Sequence, residues 1–496
     1  MQEFFLYMKH SLRSIAVGFC VVFAFLTSLH TSGQTVGSPH HQLMTLVETH
    51  AAEYRQVSKQ IWDTPELGYH ETKSSLLLQE HLRAAGFTIQ AGVADEPTGF
   101  IASYGQGKPI IAILGEFDAL PGLSQQLVPE RKPISSDGPG HGCGHNLLGA
   151  GAALAAVSVK DYMVNNHIAG TLRFYGTPAE EGGSGKVYMV HQGLFKDVDV
   201  VLHWHPYDRN VVFNGGALAE TSAKFIFHGT AAHASLTPEQ GRSALDAAML
   251  MGNGVEFLRE HVPSNTRIHY TIPRGGTAPN VVPDLAEIYL TARNPSLPVL
   301  NDIWSRIADI AKGAALMTGT QTEVKIVSSD ANVIPNNVLA QLVQNNFEEV
   351  GGFHMSEDQM RYARSLQATI SGTEAKDLDR TALILPLRAT DPNDPSPSLD
   401  VGDISWNVPT IGFWAATFPA GIPPHSWQAT ASAGMSIGQD GMVVASKVLA
   451  ITAIDLFANS ELILEANQEL KRQLQGKGYQ SAIPSGQKPV LDYREN

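Results

Sequence analysis

Side chains of the types that bind metal ions cluster at four places in this sequence. Each cluster follows a short apolar segment or stands in a loop rich in glycine or proline. In chain order the candidates are Cys143 and His145, Glu180 and Glu181, His203 and His205, and His425. Thiolate, imidazole and carboxylate groups together suit zinc or a similar divalent ion, and this many ligands could fill two metal sites.

Each cluster taken alone also has an ordinary structural explanation. Residues 140–146 could be a glycine-rich turn with incidental polar side chains, and a pair of glutamates is most often solvated. At least one of His203 and His205 is expected to be a buried, hydrogen-bonded histidine, and the residues themselves leave open which one binds metal. The occurrence of all four clusters near the ends of predicted strands favours a shared site.

The glutamate pair indicates what such a site could do. Neighbouring side chains diverge in both strands and helices, so Glu180 and Glu181 cannot easily serve the same point. We therefore expect one carboxylate to bind metal and the other to handle a proton. A bound metal lowers the pKa of its water toward neutrality, and the spare carboxylate can accept a proton as that water attacks a carbonyl. The predicted reaction class is hydrolysis of an amide or ester.

The elements that must position these residues indicate an α/β fold. Residues 110–114 form a continuous apolar run, typical of a strand buried on both faces, and residues 171–175, 198–202 and 410–414 are similar segments. Helical segments such as residues 147–163 lie between them, which predicts a largely parallel sheet. Because ligands gather at the carboxyl ends of parallel strands, the candidate residues should meet at one edge of this sheet.

A different pattern occupies residues 218–333. Segments predicted as β-α-β-β-α-β, the ferredoxin-like order, are residues 223–228, 243–260, 267–272, 285–293, 301–317 and 322–327. Residues 285–293 alternate between apolar and polar, as in a strand with one buried face. We therefore predict an inserted ferredoxin-like α+β domain at residues 218–333. It divides a catalytic domain into residues 40–217 and 334–480, and residues 481–496 form a loose tail.

Length and charge limit the possible functions. A chain of 496 residues is too long for one ordinary core and predicts more than one domain. It has 48 acidic against 34 basic residues, a formal net charge of −14, and no run of lysine or arginine. This charge excludes a nucleic-acid-binding protein.

The first residues have the composition of a targeting signal. An apolar stretch at residues 14–29 follows Lys9 and Arg13 and precedes small residues near Gly33. We expect residues 1–33 to be a signal peptide and the protein to be exported to a periplasm or the medium. Membrane anchoring through an uncleaved N-terminal segment is the alternative. No later stretch is expected to have the length and composition of a membrane span, and cleavage would leave Cys143 as the one cysteine of the mature chain.

Four segments of the chain resemble metal-dependent amidohydrolases. They are GEFDALPG at residues 115–122, HGCGHN at 141–146, PAEEGG at 178–183 and PHSW at 424–427. The chain is similar to the family of aminoacylases, hippurate hydrolase and plant indole-acetyl-amino-acid hydrolases, and within it to p-aminobenzoyl-glutamate hydrolases. The resemblance implies a zinc-peptidase-like catalytic domain, mainly a parallel sheet, with an inserted ferredoxin-like dimerisation or lid domain.

The resemblance also implies roles for individual residues. It assigns two divalent ions per subunit, zinc or manganese or else cobalt, to the ligands Cys143, His145, Glu181, His205 and His425. Glu180 would be the general base, and Asp118 would orient a ligand from outside the metal site.

In the inserted domain, His233 matches a G-x-x-x-H-A loop whose histidine reaches the active site of the partner subunit and stabilises the developing oxyanion. Asn280 would contact the substrate, and Arg293 would hold a carboxylate. A homodimer formed through the inserted domain follows from this resemblance.

The implied function is hydrolysis of the amide bond of an N-acyl or N-aroyl amino acid such as p-aminobenzoyl-glutamate. A metal-activated water would attack, with Glu180 as the general base. The alternative is a dipeptidase or carboxypeptidase on the same two-metal site, which differs in accepting a free amine beside the scissile bond. A non-catalytic metal-binding or peptide-binding protein would predict loss of the base, whereas Glu180 is present.

Overall fold

The structure is a computed structural model that describes residues 37–370, 378–389 and 397–494. Residues from Pro39 onward form one compact unit. The predicted signal peptide at residues 1–33 lies outside the described residues.

The described residues form helices and strands that are arranged around two sheets. The helices are α1 (Pro39–Asp63), α2 (Thr72–Ala84), α3 (His145–Asn166), α4 (Gly185–His191), α5 (Ala244–Arg259), α6 (Leu297–Thr318), α7 (Asn337–Val350), α8 (Glu357–Gln367), α9 (Val401–Ser405), α10 (Trp427–Ala433), α11 (Ser436–Ala458) and α12 (Ser460–Leu474). The strands are β1 (Thr88–Ala91), β2 (Phe100–Gln106), β3 (Ile110–Gly115), β4 (Gly170–Gly176), β5 (Val200–Tyr207), β6 (Val211–Phe213), β7 (Ala219–His228), β8 (Arg267–Arg274), β9 (Leu285–Asn294), β10 (Gln321–Asp330) and β11 (Thr410–Ala416).

The larger sheet has the strand order β1-β2-β4-β3-β5-β11-β6. Its central strands β4, β3, β5 and β11 are mutually parallel, and they correspond to the four strands predicted from the sequence. Strands β1, β2 and β6 add to the edges in antiparallel orientation. The prediction of a mainly parallel α/β sheet is therefore confirmed for the centre of the sheet.

Helices cover both faces of β3, which explains its continuous apolar run. Ile111 and Ile113 pack in a core that includes α1, α3 and α11, whereas Ala112 and Leu114 face a second core with α4 and α9. Full burial of one such large side chain is favourable by about 1.5–3 kcal/mol, so a polar residue at any of these positions would be costly.

The second sheet has the order β10-β7-β9-β8 with every pairing antiparallel. Together with α5 and α6 it forms the predicted ferredoxin-like unit, inserted between β6 and α7. Phe225 and Leu290 pack against the two helices, while Glu220 and Arg293 extend from the opposite face. The alternation in β9 therefore separates a buried face from a polar face, and the domain boundaries at residues 218 and 333 stay a prediction.

Two helices satisfy the length and composition of a membrane span, contrary to the expectation that no later stretch would. They are α3 and α11, and 83% and 78% of their most apolar windows are buried inside the protein. Both pack against each other and against the larger sheet. Their apolar character on all sides is accounted for by this central position.

The segment after α12 is packed, whereas the sequence predicts a loose tail at residues 481–496. Ile483 is 3% exposed and joins the core that contains α4. The ring of Tyr493 packs edge-on against Tyr69, with centroids 5.9 Å apart. Such isolated apolar anchors have no periodicity, so the sequence pattern could not reveal this packing.

Candidate functional site

The five predicted metal ligands converge at the carboxyl edge of the larger sheet. Sγ of Cys143 lies 3.5 Å from Nε2 of His205, and Nε2 of His425 lies 3.4 Å from Oε1 of Glu181. The rings of His145 and His205 meet edge to face with centroids 5.7 Å apart. Two groups have all ligand atoms within 4.8 Å, and Cys143 belongs to both of them: one with His145 and His205, the other with Glu181 and His425.

A tight backbone turn brings the first two ligands to this point. Gly144 separates Cys143 from His145 and has φ +82°, a left-handed conformation that glycine adopts without strain. A Cβ atom on Gly144 would lie 2.8 Å from Pro206, on the strand that carries His205. Glycine is therefore required here both for the turn and for the close approach of β5.

Both histidines beside Cys143 present the same nitrogen to the site. The Nδ1–H of His205 donates to the carbonyl oxygen of Pro206 at 2.7 Å, and the Nδ1–H of His145 donates to Asp118 at 2.9 Å. When the two rings are neutral, Nε2 of each is therefore left with its lone pair toward the cluster. Metal-binding histidines are normally oriented in this way by a partner on the other nitrogen.

Asp118 links two of the ligands from behind the cluster. It accepts from His145 with one oxygen and from the backbone N–H of Glu181, at 3.0 Å, with the other. This geometry is the one expected of a residue that orients metal ligands. Burial raises the pKa of this carboxyl, but His145 and these hydrogen bonds outweigh burial and hold the pKa below its ordinary value.

Negative charge accumulates around the cluster. Burial raises the pKa of Glu181 to about 7, with the nearby Cys143 as a further cause. Burial together with the charges of Glu116 and Glu181 raises the pKa of Glu180 well above its ordinary value. Several carboxylates and a thiolate packed this closely suit a site for divalent cations, which would neutralise them.

The thiol itself is set up to ionise. Burial alone would raise the pKa of Cys143, but His205 and His145 outweigh burial and lower the pKa well below its ordinary value. The thiolate is the form of cysteine that binds metal. Oε1 of Glu181 and Nε2 of His145, also buried here, make no hydrogen bond within the described residues. Free lone pairs beside a thiolate are the arrangement that a metal ion requires.

Glu116 is a further member of the cluster to which the sequence reasoning assigned no role. Its Oε2 lies 3.3 Å from Nε2 of His145, and these two residues form a third group of close ligand atoms with Glu180. Oε1 of Glu116 pairs at 2.8 Å with Lys186, which is fully buried and also pairs with Asp400 at 2.6 Å. The position of Glu116 directly after β3, at the carboxyl edge, was the available signal.

The backbone is strained beside the glutamate pair and at the last histidine. Ala179, which precedes the pair, has φ +56°, and His425 has φ +58°. Non-glycine residues in this region cost on the order of 1–3 kcal/mol and persist where the surroundings impose them. The strained residues therefore lie in the two loops that position Glu181 and His425.

Only one of the two histidines of β5 faces the cluster. His203 is buried against Gly412, where a Cβ atom would lie 2.2 Å from the imidazole ring. Burial lowers the pKa of His203 to about 4, so it is a neutral core histidine. His205 is therefore the residue in the ligand position, and His203 is the structural histidine that the sequence pattern predicts.

A cavity of about 470 Å³ opens beside the cluster. Glu180 lines it, with Oε2 4.0 Å from Nε2 of His145. Arg293 and Glu220 line it from the inserted sheet, and they form a salt bridge with Nε and Oε2 2.6 Å apart. The cavity is therefore bordered by the metal-type residues on one side and by the polar face of the inserted sheet on the other.

His233 and Asn280 are not among the residues that line this cavity. Both are exposed on adjoining loops of the inserted unit, where His233 pairs in a β-bridge with Val281 and the carbonyl oxygen of Asn280 accepts from the N–H of Ala234. Their location apart from the cluster of the same chain is compatible with the expected action of His233 on a partner subunit.

Comparisons with known proteins agree with this architecture. Residues 112–375 match the model of peptidase family M20/M25/M40. The chain is 39% identical over 467 residues to one of the subunits of p-aminobenzoyl-glutamate hydrolase from Escherichia coli, covering 89% of this chain and 97% of that protein. It is 29% identical over 445 residues to human Xaa-Arg dipeptidase, covering 86% of this chain and 91% of the dipeptidase.

A solved structure shows the same fold. It is a dinuclear metal-binding peptidase of the M20 family from Bacillus subtilis, with a TM-score of 0.55 and 17% identity over 83% of this chain and 99% of that one. The family match and the relative of nearly equal length confirm the family resemblance. The chain belongs to peptidase family M20/M25/M40, and it is a hydrolase that acts on amide bonds.

Proposed function

We propose that this protein is a metal-dependent amidohydrolase that cleaves the amide bond of an N-acyl or N-aroyl amino acid resembling p-aminobenzoyl-glutamate. The observation that carries the proposal is the convergence of Cys143, His145, Glu181, His205 and His425 beside one cavity, which Glu180 also lines. The identity to a hydrolase of p-aminobenzoyl-glutamate over nearly the whole chain supports this substrate class.

The donor set suits two divalent ions. Cys143 stands between the two groups of ligand atoms, with His145 and His205 in one and Glu181 and His425 in the other. When bound, zinc, manganese or cobalt would supply Lewis-acid chemistry and lower the pKa of a coordinated water. Thiolate favours zinc, and carboxylate and imidazole accept any of the three.

Other residues of the chain would transfer the proton, orient the ligands and bind the substrate. Glu180 lines the cavity and lies outside the two groups that contain Cys143, although it approaches Glu116 and His145, and from this position it can accept a proton and later return it to the leaving amine. Asp118 holds His145 and the backbone of Glu181 in position from behind. We propose that Arg293 and Asn280 help to hold the substrate.

The proposal is tested by hydrolysis of matched substrates. N-benzoyl-glutamate, N-acetyl amino acids and dipeptides with a free amine are compared with and without a chelator, followed by addition of zinc, manganese or cobalt. We expect faster turnover of acylated substrates, loss of activity with chelator and recovery with metal. Chelator-insensitive turnover, or none on any amide, would contradict the proposal.

A dipeptidase is the second candidate, favoured by the carboxylates of Glu220 and Asp330 in the cavity, either of which could bind a free amine. The similarity to Xaa-Arg dipeptidase supports this alternative. However, Glu220 is already paired with Arg293, and burial raises the pKa of Asp330 well above its ordinary value. Preferred cleavage of dipeptides in the same panel would establish this second function.

We further propose a homodimer formed through the inserted unit, in which His233 of the partner subunit stabilises the developing oxyanion. The exposed apolar side chains near and on this unit support an interface: Leu236 is 76% exposed, Phe257 73% and Leu316 85%. Strand β8 is also an edge strand able to pair with another chain. Sedimentation of the full-length protein tests this state, and a monomer at assay concentration would contradict it.

Export is proposed from the N-terminal composition alone. The basic residues, apolar stretch and small residues before residue 34 support a cleaved signal peptide over an uncleaved anchor. The mass of the protein recovered from its native cell tests this proposal, since cleavage near Gly33 removes the first 33 residues. Recovery of the intact chain in the membrane fraction would favour the anchor.

A further inference from the structure

Residues 475–494 form a C-terminal strap that contacts both the inserted unit and the catalytic sheet. On the inserted unit, Asn301 of α6 donates to the carbonyl oxygen of Gln480 at 3.2 Å. Further on, the side chain of Gln487 donates to the carbonyl oxygen of Ile326 in β10 at 3.3 Å. This part of the strap therefore lies along the edge of the second sheet.

The end of the strap lies on the loop that carries Glu181. The hydroxyl of Tyr493 donates to the carbonyl oxygen of Glu181 at 3.4 Å, and its ring packs against Tyr69. Tyr69 in turn donates to the carbonyl oxygen of Gly183 at 2.7 Å. Two tyrosines thus hold the strap and the metal-ligand loop together.

Arg494 lies at this point and has no carboxylate partner among the residues that the structure describes. Its Nη2 donates to the carbonyl oxygen of Glu181, and its Nε donates to the hydroxyl oxygen of Tyr493 at 3.0 Å. Within the described ranges no carboxylate oxygen lies within 4.0 Å of this guanidinium, whereas Arg293 is paired with Glu220. A guanidinium has five N–H donors, so donors of Arg494 remain for a ligand.

A second cavity, also of about 470 Å³, places Arg494 beside the catalytic one. It is lined by the strap residues Tyr493 and Arg494 and by the polar face of the inserted sheet, including Tyr289. Four residues line both cavities: Glu181, Gly182, Glu220 and Arg293. The two cavities therefore adjoin at these residues, next to the metal-ligand loop.

We propose that Arg494 is a specificity-determining residue that binds a carboxylate on the side chain of the substrate's amino acid. Arginine binds carboxylates through paired N–H donors, and a fixed backbone contact with Glu181 holds the guanidinium at the cavity. The enzyme then prefers N-acyl derivatives of glutamate or aspartate to those of neutral amino acids. This inference rests on the proposed function and specifies its substrate.

The test compares two substrates that differ only in side-chain charge. The ratio of kcat/KM for N-benzoyl-glutamate to that for N-benzoyl-glutamine is measured for the metal-loaded wild-type enzyme and for Arg494→Gln, Arg494→Lys and Lys488→Gln. Lys488 is the matched control, because its amine is on the same strap, 75% exposed, and does not line either cavity.

We expect wild type to prefer the glutamate substrate and Arg494→Gln to reduce the ratio about 10- to 100-fold, the effect of losing a hydrogen bond to a charged group. The loss of kcat/KM on the glutamate substrate should appear mainly as an increase in KM. Arg494→Lys should restore part of the preference, and Lys488→Gln should leave the ratio unchanged. Circular dichroism and sedimentation of each variant establish that it is folded and retains the wild-type oligomeric state.

Two results would overturn this inference and leave the proposed function standing. One is a glutamate-to-glutamine ratio of kcat/KM in Arg494→Gln within twofold of wild type, and the other is equal turnover of both substrates by the wild-type enzyme. An equal loss on both substrates would also reject it, since it would indicate a structural role for the strap. By contrast, no turnover of any N-acyl amino acid by the metal-loaded wild-type enzyme would overturn the proposed function and this inference together.

Discussion

The sulfur of Cys143 lies 3.5 Å from Nε2 of His205, although 62 residues separate them in the chain. One residue stands just before α3 and the other near the end of β5, and both positions reach the carboxyl edge of the same sheet. The thiolate of Cys143 therefore lies where the other predicted ligands converge, so removal of its sulfur should weaken the binding of both metal ions.

Replacement of Cys143 by alanine is expected to weaken metal binding. The sulfur belongs to both groups of ligand atoms, so its loss should exceed the roughly 10- to 100-fold effect of removing a partner outside the metal site. Elemental analysis after dialysis against buffered zinc measures the effect. Full occupancy by two ions in Cys143→Ala would mean that the thiol is only a packing group.

Glu180→Gln is expected to retain its metal and to lose about 10²- to 10⁴-fold in kcat, the usual contribution of a general base. Glutamine keeps the shape of the side chain and removes the proton acceptor. Glu465→Gln on the exposed face of α12 is the control and should match wild type. Metal loss in Glu180→Gln would show that the roles of Glu180 and Glu181 are reversed.

Subunit mixing tests the proposed action of His233 across a dimer. His233→Ala and Glu180→Gln should each be inactive as homodimers, because each lacks one residue in every site. A mixed dimer assembles one site with both residues intact, so activity should recover in part after subunit exchange. Mass spectrometry measures the exchange, and absence of recovery despite mixed dimers would count against the arrangement.

Lys186→Met should destabilise the fold. Lys186 is fully buried between Glu116 and Asp400, and methionine would leave both carboxylates without their cation. Breaking a buried ion pair in this way costs about 3–5 kcal/mol. The midpoint of thermal unfolding should fall in Lys186→Met and be partly restored by adding Asp400→Asn. The exposed Lys488→Met should stay near wild type, and an unchanged midpoint in Lys186→Met would refute the prediction.

The stability of the protein should depend on the protonation of Asp403. Burial raises its pKa from 3.8 to about 7, against the effect of hydrogen bonds from Tyr479 and the N–H of Ala331. The folded state favours the protonated form, so this stabilising contribution is present below about pH 4 and is lost as pH rises through about 7.

Asp403→Asn, which is always neutral, should therefore gain stability relative to wild type between pH 4 and pH 8. Each pKa unit corresponds to about 1.4 kcal/mol, so the gain amounts to a few kcal/mol at most. Thermal unfolding across this pH range measures it, with the exposed Asp492→Asn as control. A constant difference between Asp403→Asn and wild type at all pH values would contradict the assignment.

Much of the fold could be predicted because its signals are local. The apolar run of β3 and the similar, largely apolar segments of β4, β5 and β11 identified the parallel core of the sheet, and the alternation in β9 identified a strand with one polar face. The edge strands β1 and β6 were not predicted, since β1 is mostly exposed and has no apolar run, and the apolar run of β6 is only three residues long.

The sequence by itself determined the family, the α/β and ferredoxin-like units, and the set of side chains able to bind metal, because motifs and periodicity are properties of short segments. Only the tertiary structure decided that His205 rather than His203 faces the cluster, that Glu116 and Lys186 stand behind it, and that the chain's last described residues return to Glu181. These facts depend on contacts between residues far apart in the chain, and such contacts leave no periodic pattern in the sequence.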